Sequence, residues 1–216
     1  MKTIAATTTR SLPRPVDLRA YLPSAAEGVF AGLIDLAPWE ITSRAKAIIA
    51  RAIAGLTGYD IADGVAIHRK ATVESGAVVK GPAIIGPSSF VAATAYLRDG
   101  IFLDEGVMVG PACELKSVFM LRGSKIAHLS FAGDSIIGAD ANIEAGAILA
   151  NSRNEWADKR IRIAVDGGMI DTGVDKFGAL IGETAKVGAN AVIAPGALIK
   201  PGAVVPRLAL VDQSPV

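Results

Sequence analysis

The chain has 216 residues, enough for one domain with a large buried core, and hydrophobic residues make up 51% of it. The formal net charge is +1, so the composition excludes a disordered chain and gives no basic excess for binding nucleic acid. Only 5% of residues are aromatic, and the apolar mass consists mainly of small aliphatic residues, with 38 Ala beside 23 Gly and 11 Pro.

The sequence also bears on the compartment of the protein and on its association with membranes. No apolar stretch approaches the roughly 20 residues that a bilayer span needs, and residues 1–14 lack the apolar run of a signal peptide. Cys113 is the single cysteine and has no partner for an internal disulfide, which favours a reducing compartment. We therefore expect a cytoplasmic protein that binds neither a membrane nor nucleic acid.

Residues 1–60 form the first predicted region and favour helices. Thr42 is a candidate N-cap for a helix that runs to about Leu56, because apolar residues recur along one stripe of that segment. A shorter helix is predicted around Ala25 to Leu36. We interpret residues 1–60 as a small helical cap that shields the open end coil of the region that follows.

Residues 61–216 form the second region and carry a repeat of six. A helix cannot place every sixth residue on one face, and Gly and Pro interrupt any long strand. Each hexad instead predicts a short strand and a corner, and three hexads close a triangular coil of about 18 residues. The predicted fold class is all-β, a single-stranded left-handed parallel β-helix of hexapeptide repeats with an N-terminal α-helical cap. The inward aliphatic positions are Ile61, Ile67, Val73, Val79, Ile85, Val91, Leu97, Leu103, Val109, Leu115 and Leu121.

Two interruptions break this repeat. The first follows Leu121, after which the period resumes at Ile137, and the second ends at Ile181. The second interruption predicts an inserted loop at about 151–178, which carries several charges, Arg153 among them. Insertions in β-helices often border the binding face, and a solvated loop is the alternative interpretation.

Two histidines are candidates for chemistry. His68 lies beside an inward position at a corner, which predicts a plain surface role. His128 lies where the repeat fails, so its imidazole is a candidate general base, with a structural histidine as the alternative. Two histidines are too few for the three-histidine zinc site of the γ-class carbonic anhydrases, and no zinc-type Cys/His cluster is present, so we expect no metal.

Arg98 and Lys116 are a further pair of candidates, because a separation of 18 residues puts them on one corner in successive coils. Two cations stacked about 4.8 Å apart repel each other unless an anion lies between them. The pair therefore predicts a phosphate or carboxylate site, with splayed surface side chains as the alternative. Glu114 could hold a protonated amine or orient the imidazole, or be a plain surface carboxylate.

The central stretch also resembles a known family. The segments are Glu114-Leu-Lys116, then Gly123-Ser-Lys-Ile-Ala-His128-Leu-Ser-Phe-Ala-Gly-Asp134, then Asn142-Ile-Glu-Ala-Gly146. They are similar to the acetyltransferase domain of the bifunctional N-acetylglucosamine-1-phosphate uridyltransferase/glucosamine-1-phosphate acetyltransferases and their archaeal sugar-phosphate relatives. The resemblance runs over about 61–205.

This resemblance implies an acyl-CoA-dependent N-acyltransferase that takes acetyl-CoA as donor and an amino-sugar phosphate or a nucleotide sugar as acceptor. It also implies a homotrimer with its sites between neighbouring prisms. The residue roles that it implies are a general base at His128 supported by Glu114, acceptor-binding residues at Arg98, Lys116 and Asn142, and acetyl-CoA contacts at Ala145 and Asn151.

Three departures from the family pattern leave alternatives open. Phe131 replaces a substrate-binding tyrosine, Ala150-Asn-Ser-Arg-Asn154 replaces the usual segment beside the CoA site, and residues 1–60 are too few for a nucleotidyltransferase domain. The alternatives to the N-acyltransferase are a non-catalytic trimeric scaffold or sugar-phosphate sensor, and an O-acetyltransferase.

Overall fold

The computed structural model describes residues 16–25, 30, 32–165 and 167–213, and within them three short helices precede a long series of short strands. The helices are α1 (Leu18–Tyr21), α2 (Pro38–Ser43) and α3 (Ala45–Ile53). The first strands are β1 (Tyr59–Ala62), β2 (Val65–His68), β3 (Thr72–Val73), β4 (Val78–Val79), β5 (Ala83–Ile85), β6 (Phe90–Val91), β7 (Tyr96–Leu103), β8 (Met108–Val109), β9 (Glu114–Met120), β10 (Lys125–Ile126) and β11 (Phe131–Gly133). The remaining strands are β12 (Ile136–Ile137), β13 (Asn142–Ile143), β14 (Ile148–Leu149), β15 (Arg162–Val165), β16 (Gly168–Asp171), β17 (Ala179–Ile181), β18 (Lys186–Val187), β19 (Val192–Ile193), β20 (Ala197–Ile199), β21 (Val204–Val205) and β22 (Leu210–Val211).

Parallel pairing between successive coils stacks these strands into the three faces of a triangular prism, which confirms the predicted left-handed parallel β-helix. Face A contains β2, β5, the C-terminal halves of β7 and β9, β12, β17 and β20. Face B contains β3, β6, β8, β10, β13, β18 and β21. Face C contains β4, the N-terminal halves of β7 and β9, β11, β14, β19 and β22.

The axis of the prism is filled by pairs of inward side chains, a small residue followed two positions later by an aliphatic one. Ala83 with Ile85 and Ala95 with Leu97 are examples, and all four side chains are fully buried. No described aromatic residue belongs to this core. The low aromatic content of the chain follows, because three converging faces leave no space on the axis for rings.

A second apolar core lies on the outer side of face A. Phe102, Phe119 and Ile136 project outward there and are covered by the N-terminal helices. Burial of a side chain such as Phe119 stabilises the fold by about 2–3 kcal/mol. The predicted helical segment is therefore present, but it covers a side face of the prism, and the expectation that it shields the end coil is wrong.

At the N-terminal end of the prism, the edge of face A is instead covered by a hairpin. Strand β1 pairs antiparallel with β2, and β1 is the edge strand of its sheet. Ile61 lies on this hairpin with 52% of its surface exposed. The prediction that Ile61 is the first inward residue is therefore wrong, and the axis begins with Val65 and Ile67, which pack on the core.

The first slip of the repeat comes earlier than its predicted position. Arg98 lies opposite Lys116, a step of 18, whereas Leu103 lies opposite Met120, a step of 17, because the register shifts between Arg98 and Ile101. Met120 is fully buried on the axis, and Leu121 belongs to the outer core on face A. The inward position predicted for Leu121 is thus occupied by Met120.

The helix boundaries also differ from the prediction. Thr42 does not cap a helix, because it lies inside α2 and its hydroxyl donates to the carbonyl of Trp39. The chain turns at Arg44 and starts α3 at Ala45. Of the helix predicted around Ala25 to Leu36, residues 26–29 and 31 lie outside the described residues, and 32–35 form turns.

The insertion at about 151–178 contains the antiparallel hairpin β15–β16. Ile161 and Ile163 are fully buried in the outer core with the N-terminal helices. Arg153 is 2% exposed and binds both carboxylate oxygens of Asp212, at 2.6 and 2.8 Å. The alternative of a merely solvated loop is therefore wrong for these residues.

Candidate functional site

The corner between faces C and A brings the two predicted cations together. Arg98 and Lys116 are direct partners on adjacent coils, and immediately after Arg98 the bulge at Asp99 and Gly100 turns the chain with φ angles of 64° and 105°. A Cβ on Gly100 would lie 2.8 Å from the backbone nitrogen of Lys46. The corner is thus shaped so that the start of α3 can pack directly against it.

Carboxylates of the chain itself lie beside these cations. Arg98 is 2.7 Å from Glu114 and 2.9 Å from Asp99. The hydrogen bond to Glu114, together with the neighbouring negative charges, raises the pKa of Arg98 above its ordinary value. The repulsion expected between Arg98 and Lys116 is therefore relieved within the protein, and their stacking alone does not require a bound anion.

Lys116 forms an ion pair with Asp134, which lies in the central motif and was not predicted to be a site residue. The Lys116 ammonium lies 3.0 and 3.2 Å from the two carboxylate oxygens, and Asn151 donates its side-chain amide to the same carboxylate. Asp134 is 5% exposed. Lys116 lies opposite Gly133, a step of 17, so Asp134 is one residue beyond the coil equivalent of Lys116 and the 18-residue spacing does not identify it.

Phe131 and Asn151 lie on the same side of the prism as this pair. Phe131 is opposite Glu114 in the adjacent coil. A Cβ on Gly133 would lie 2.6 Å from the Asn151 amide nitrogen and 2.9 Å from the Phe131 ring, so a larger residue there would displace these side chains. The structure thus brings together five of the predicted site residues, which are Arg98, Glu114, Lys116, Phe131 and Asn151.

Helix α3 adds a third cation that the sequence analysis missed. The Lys46 ammonium lies 2.7 Å from Asp99, and this contact lowers the pKa of the Asp99 carboxyl. A cleft of about 430 Å³ separates the α2–α3 junction from the corner. Its walls include Arg44 and Lys46 on one side and Asp99, Lys116 and Asp134 on the other.

His128, Asn142 and Ala145 lie elsewhere on the prism. His128 is exposed at the corner between faces B and C, where its carbonyl accepts a hydrogen bond from the Gly146 amide at 2.9 Å. Ala145 is at the same corner one coil further, and Asn142 is on face B beside Lys125. The His128 imidazole has no hydrogen-bond or ion-pair partner among the residues that the structure describes, so within one chain Glu114 does not orient it.

Among the described residues, His68 contacts its neighbours in sequence and on the β1–β2 hairpin. Its ring packs edge-on against Tyr59 at 4.9 Å, and its Nδ1 accepts a hydrogen bond from the Lys70 amide at 3.1 Å. In the described part of the chain no group of His, Cys, Asp and Glu side chains is arranged to hold a metal ion. No helix there is long and apolar enough to cross a membrane.

Similar proteins are found among curated sequences, although no family model matches the chain. A bifunctional sugar-1-phosphate nucleotidylyltransferase/acetyltransferase of Sulfurisphaera tokodaii is 36% identical over 157 residues, which are 67% of this chain and 37% of that protein. The bifunctional protein GlmU of Methanococcus vannielii is 32% identical over 155 residues, 69% of this chain and 36% of that protein. The chain thus spans little more than a third of the length of these relatives.

Among solved structures, an N-acyltransferase from Bacillus cereus in complex with dTDP and coenzyme A is similar with a TM-score of 0.42 and 13% identity. The match covers 65% of this chain and 75% of that one.

The repeat and the prism define a left-handed β-helix of hexapeptide repeats. Over the matched residues the chain is similar to bifunctional sugar-1-phosphate nucleotidylyltransferase/acetyltransferases, in agreement with the resemblance of the central motifs.

Proposed function

We propose that this protein transfers an acyl group, acetyl in the simplest case, from a CoA thioester to the amine of an amino-sugar phosphate or nucleotide sugar. The observation that carries the proposal is the similarity to the sugar-1-phosphate nucleotidylyltransferase/acetyltransferase and GlmU relatives, at 36% and 32% identity. The central motif supports it, because the fold puts His128 on an exposed corner with its side chain unengaged by the described residues.

His128 is the general base in this proposal. An amine is a competent nucleophile only when it is neutral, and an imidazole is suited to take its proton near neutral pH. The amine nitrogen attacks the thioester carbonyl and its proton passes to His128. As the C–S bond breaks, His128 returns this proton to the departing thiolate, which leaves as the CoA thiol. No covalent enzyme intermediate is required. Backbone N–H groups of an adjoining coil would stabilise the oxyanion.

The other predicted residues divide between acceptor and donor. Arg98, Lys116 and Asn142 bind the acceptor, with Glu114 holding Arg98 in place and supporting the amine. Phe131 offers the acceptor an apolar ring and no hydroxyl. The backbone at Ala145 and the side chain of Asn151 contact the acyl-CoA. Asn151 is positioned for this by its bond to Asp134.

A homotrimer forms part of the proposal. His128 and the Arg98–Lys116 pair lie on different corners of one prism, so a complete site requires surfaces from neighbouring copies. Face A is covered by the helices and the inserted hairpin, whereas exposed apolar side chains lie on the other two faces and the corner between them. They are Val78, Met108, Leu129, Val192, Val204, Leu208 and Leu210. An apolar surface of this kind is typical of an oligomer interface.

A cytoplasmic location completes the proposal. Cys113 is buried as a free thiol, and burial raises its pKa. A free thiol in this state is compatible with a reducing compartment.

Release of the CoA thiol tests the reaction. With acetyl-CoA and a panel of amino sugars, their phosphates and nucleotide forms, we expect thiol release that His128→Ala lowers about 10²- to 10⁴-fold. His68→Ala is the matched control and retains the wild-type rate. Thiol release only with hydroxyl acceptors would identify an O-acetyltransferase and contradict the N-acyl proposal.

A non-catalytic sugar-phosphate sensor is the second candidate. It is favoured by Phe131 and by the changed segment from Ala150 to Asn154, both of which depart from the family pattern. Ligand binding that His128→Ala leaves intact, together with no thiol release from any acceptor, would establish the sensor in place of the enzyme.

A further inference from the structure

The cleft between the α2–α3 junction and the C/A corner is a second candidate binding feature. Its volume of about 430 Å³ falls within the range of small-molecule sites. One wall belongs to the prism and the other to the N-terminal helices. The helices lie outside 61–205, over which the family resemblance runs, so the resemblance assigns their residues no role.

The charges lining the cleft are unequal. Arg44, Lys46 and Lys116 contribute three positive charges, against two negative charges from Asp99 and Asp134. The excess positive charge favours an anionic ligand.

Hydrogen-bond donors remain on the helical side. Lys46 makes one ion pair with the described residues, to Asp99, and an ammonium has three N–H groups. Arg44 makes a single ion pair, at 4.0 Å to Glu40, which leaves most of its five N–H donors unused by the described residues. Both side chains are about 60% exposed, so they can turn toward a ligand without first losing buried contacts.

The prism side offers acceptors beside these donors. Oxygens of Asp99 and Asp134 lie along the cleft together with the hydroxyl of Ser117, which donates to the Asp99 carbonyl at 3.0 Å and retains its own lone pairs. Carboxylates accept hydrogen bonds from sugar hydroxyls, whereas guanidinium and ammonium groups bind phosphate oxygens. A ligand that carries hydroxyls and phosphate on one small frame satisfies both walls.

We propose that this cleft binds the phosphate-bearing sugar of the acceptor, and that Arg44 and Lys46 supply phosphate contacts from the N-terminal helices. The identity of the acceptor rests on the proposed function. The helical segment is then part of the binding site as well as a cover for face A. Both a sugar monophosphate and a nucleotide sugar share the required chemistry.

Calorimetric titration without any acyl donor tests the inference. The ligands are glucosamine 1-phosphate, UDP-glucosamine and unphosphorylated glucosamine. The proteins are the wild type, the double variant Arg44→Gln/Lys46→Gln, and the control Arg51→Gln/Lys70→Gln, which removes the same two charges at exposed positions. Thermal melting of all three checks that they are folded.

We expect the Arg44/Lys46 variant to weaken binding of at least one phosphate-bearing ligand about tenfold, with glucosamine unaffected and the control unchanged. The tighter of the two phosphate-bearing ligands, glucosamine 1-phosphate or UDP-glucosamine, shows whether the acceptor is a sugar monophosphate or a nucleotide sugar. Equal weakening in both double variants, no weakening in either, or no wild-type binding of either phosphate ligand would overturn the inference. If the Arg44/Lys46 variant loses binding while the wild type releases no CoA with any acceptor, the cleft remains a binding site and the proposed acyltransferase activity is rejected.

Discussion

Arg98 and Lys116 lie directly opposite each other on adjacent coils, yet each is held by a different carboxylate of the same chain. The Arg98 and Glu114 side chains are half-buried, 30% and 38% exposed, whereas those of Lys116 and Asp134 are only 15% and 7% exposed. A ligand phosphate would therefore share or displace existing partners at Arg98 more easily than at Lys116, because breaking a buried pair costs more.

Replacement of Asp134 tests the buried pair. Asp134→Asn leaves the Lys116 ammonium, 15% exposed, beside a neutral amide, and we expect a loss of about 2–3 kcal/mol in the free energy of unfolding. Urea denaturation measures it. Asp60→Asn is the control, since Asp60 is 78% exposed and pairs with Arg69 at 3.5 Å, and its effect should stay below about 0.5 kcal/mol. Equal losses in the two variants would contradict the assigned role of Asp134.

The packing of α3 on the bulge can be tested with a single methyl group. Gly100→Ala puts a Cβ within 2.9 Å of Ala45 and Lys46 at a φ of 105°, and we expect about 3 kcal/mol of destabilisation. Gly76→Ala has a comparable φ of 94° and its nearest neighbour would lie at 3.9 Å, so it measures the backbone strain of about 1 kcal/mol without a clash. Equal effects in thermal melting would show that α3 does not contact the corner.

The insertion depends on Arg153. Its guanidinium binds both oxygens of Asp212 and the carbonyl of Pro195, and packs over the Trp156 ring at 4.7 Å. Arg153→Lys cannot form the two-pronged contact, and we expect a loss of about 2–3 kcal/mol and faster proteolysis within 151–178. The exposed substitution Arg51→Lys is the control. Unchanged cleavage of the insertion would contradict a clamp between Arg153 and Asp212.

Stability should depend on pH through Lys46 and Asp99. The contact with Lys46 lowers the folded-state pKa of Asp99, so its contribution is present above the unfolded pKa of about 3.9 and is lost as the pH falls through the lower folded value. Since the Asp99 side chain is 32% exposed, we expect Lys46→Met to cost only about 0.5 kcal/mol near pH 7.

Urea denaturation of the wild type and Lys46→Met should show this difference in unfolding free energy decreasing as the pH falls below the unfolded pKa of about 3.9. Lys70→Met, which removes an exposed lysine that makes no ion pair with the described residues, should show no such trend. A difference that is constant with pH would reject the electrostatic role of Lys46.

The period of six was sufficient to predict the prism. Each face needs one inward aliphatic residue per coil, whether its outer side chains contact solvent or another part of the protein. The same signal failed at Leu121 since face A is buried on both sides. Phe119, Met120 and Leu121 are all buried there, so inward and outward positions look alike in the sequence. Where the outer side of a face contacts solvent, as at Met108 and Val109, exposed and buried residues alternate, and the inward position can be predicted from the sequence.

The candidate site was predictable to the extent that spacing encodes it. The 18-residue step linked Arg98 to Lys116, but the next step from Lys116 is 17 residues and reaches Gly133, so spacing alone does not identify Asp134. Lys46 could not be found in this way, because its approach to Asp99 depends on how α3 packs against face A. Neither could the separation of His128 from Glu114, which depends on the corner at which each coil places them.

The antiparallel strand β1 affects how molecules of this protein can associate end to end. A parallel solenoid is a template that a second molecule could extend end to end, and unlimited extension produces fibres. At β1 the exposed edge runs antiparallel to the coils below it and carries Asp60, so another prism meets the wrong strand direction and a charge. On face A the hairpin thereby hinders end-to-end association of a highly apolar, repetitive protein.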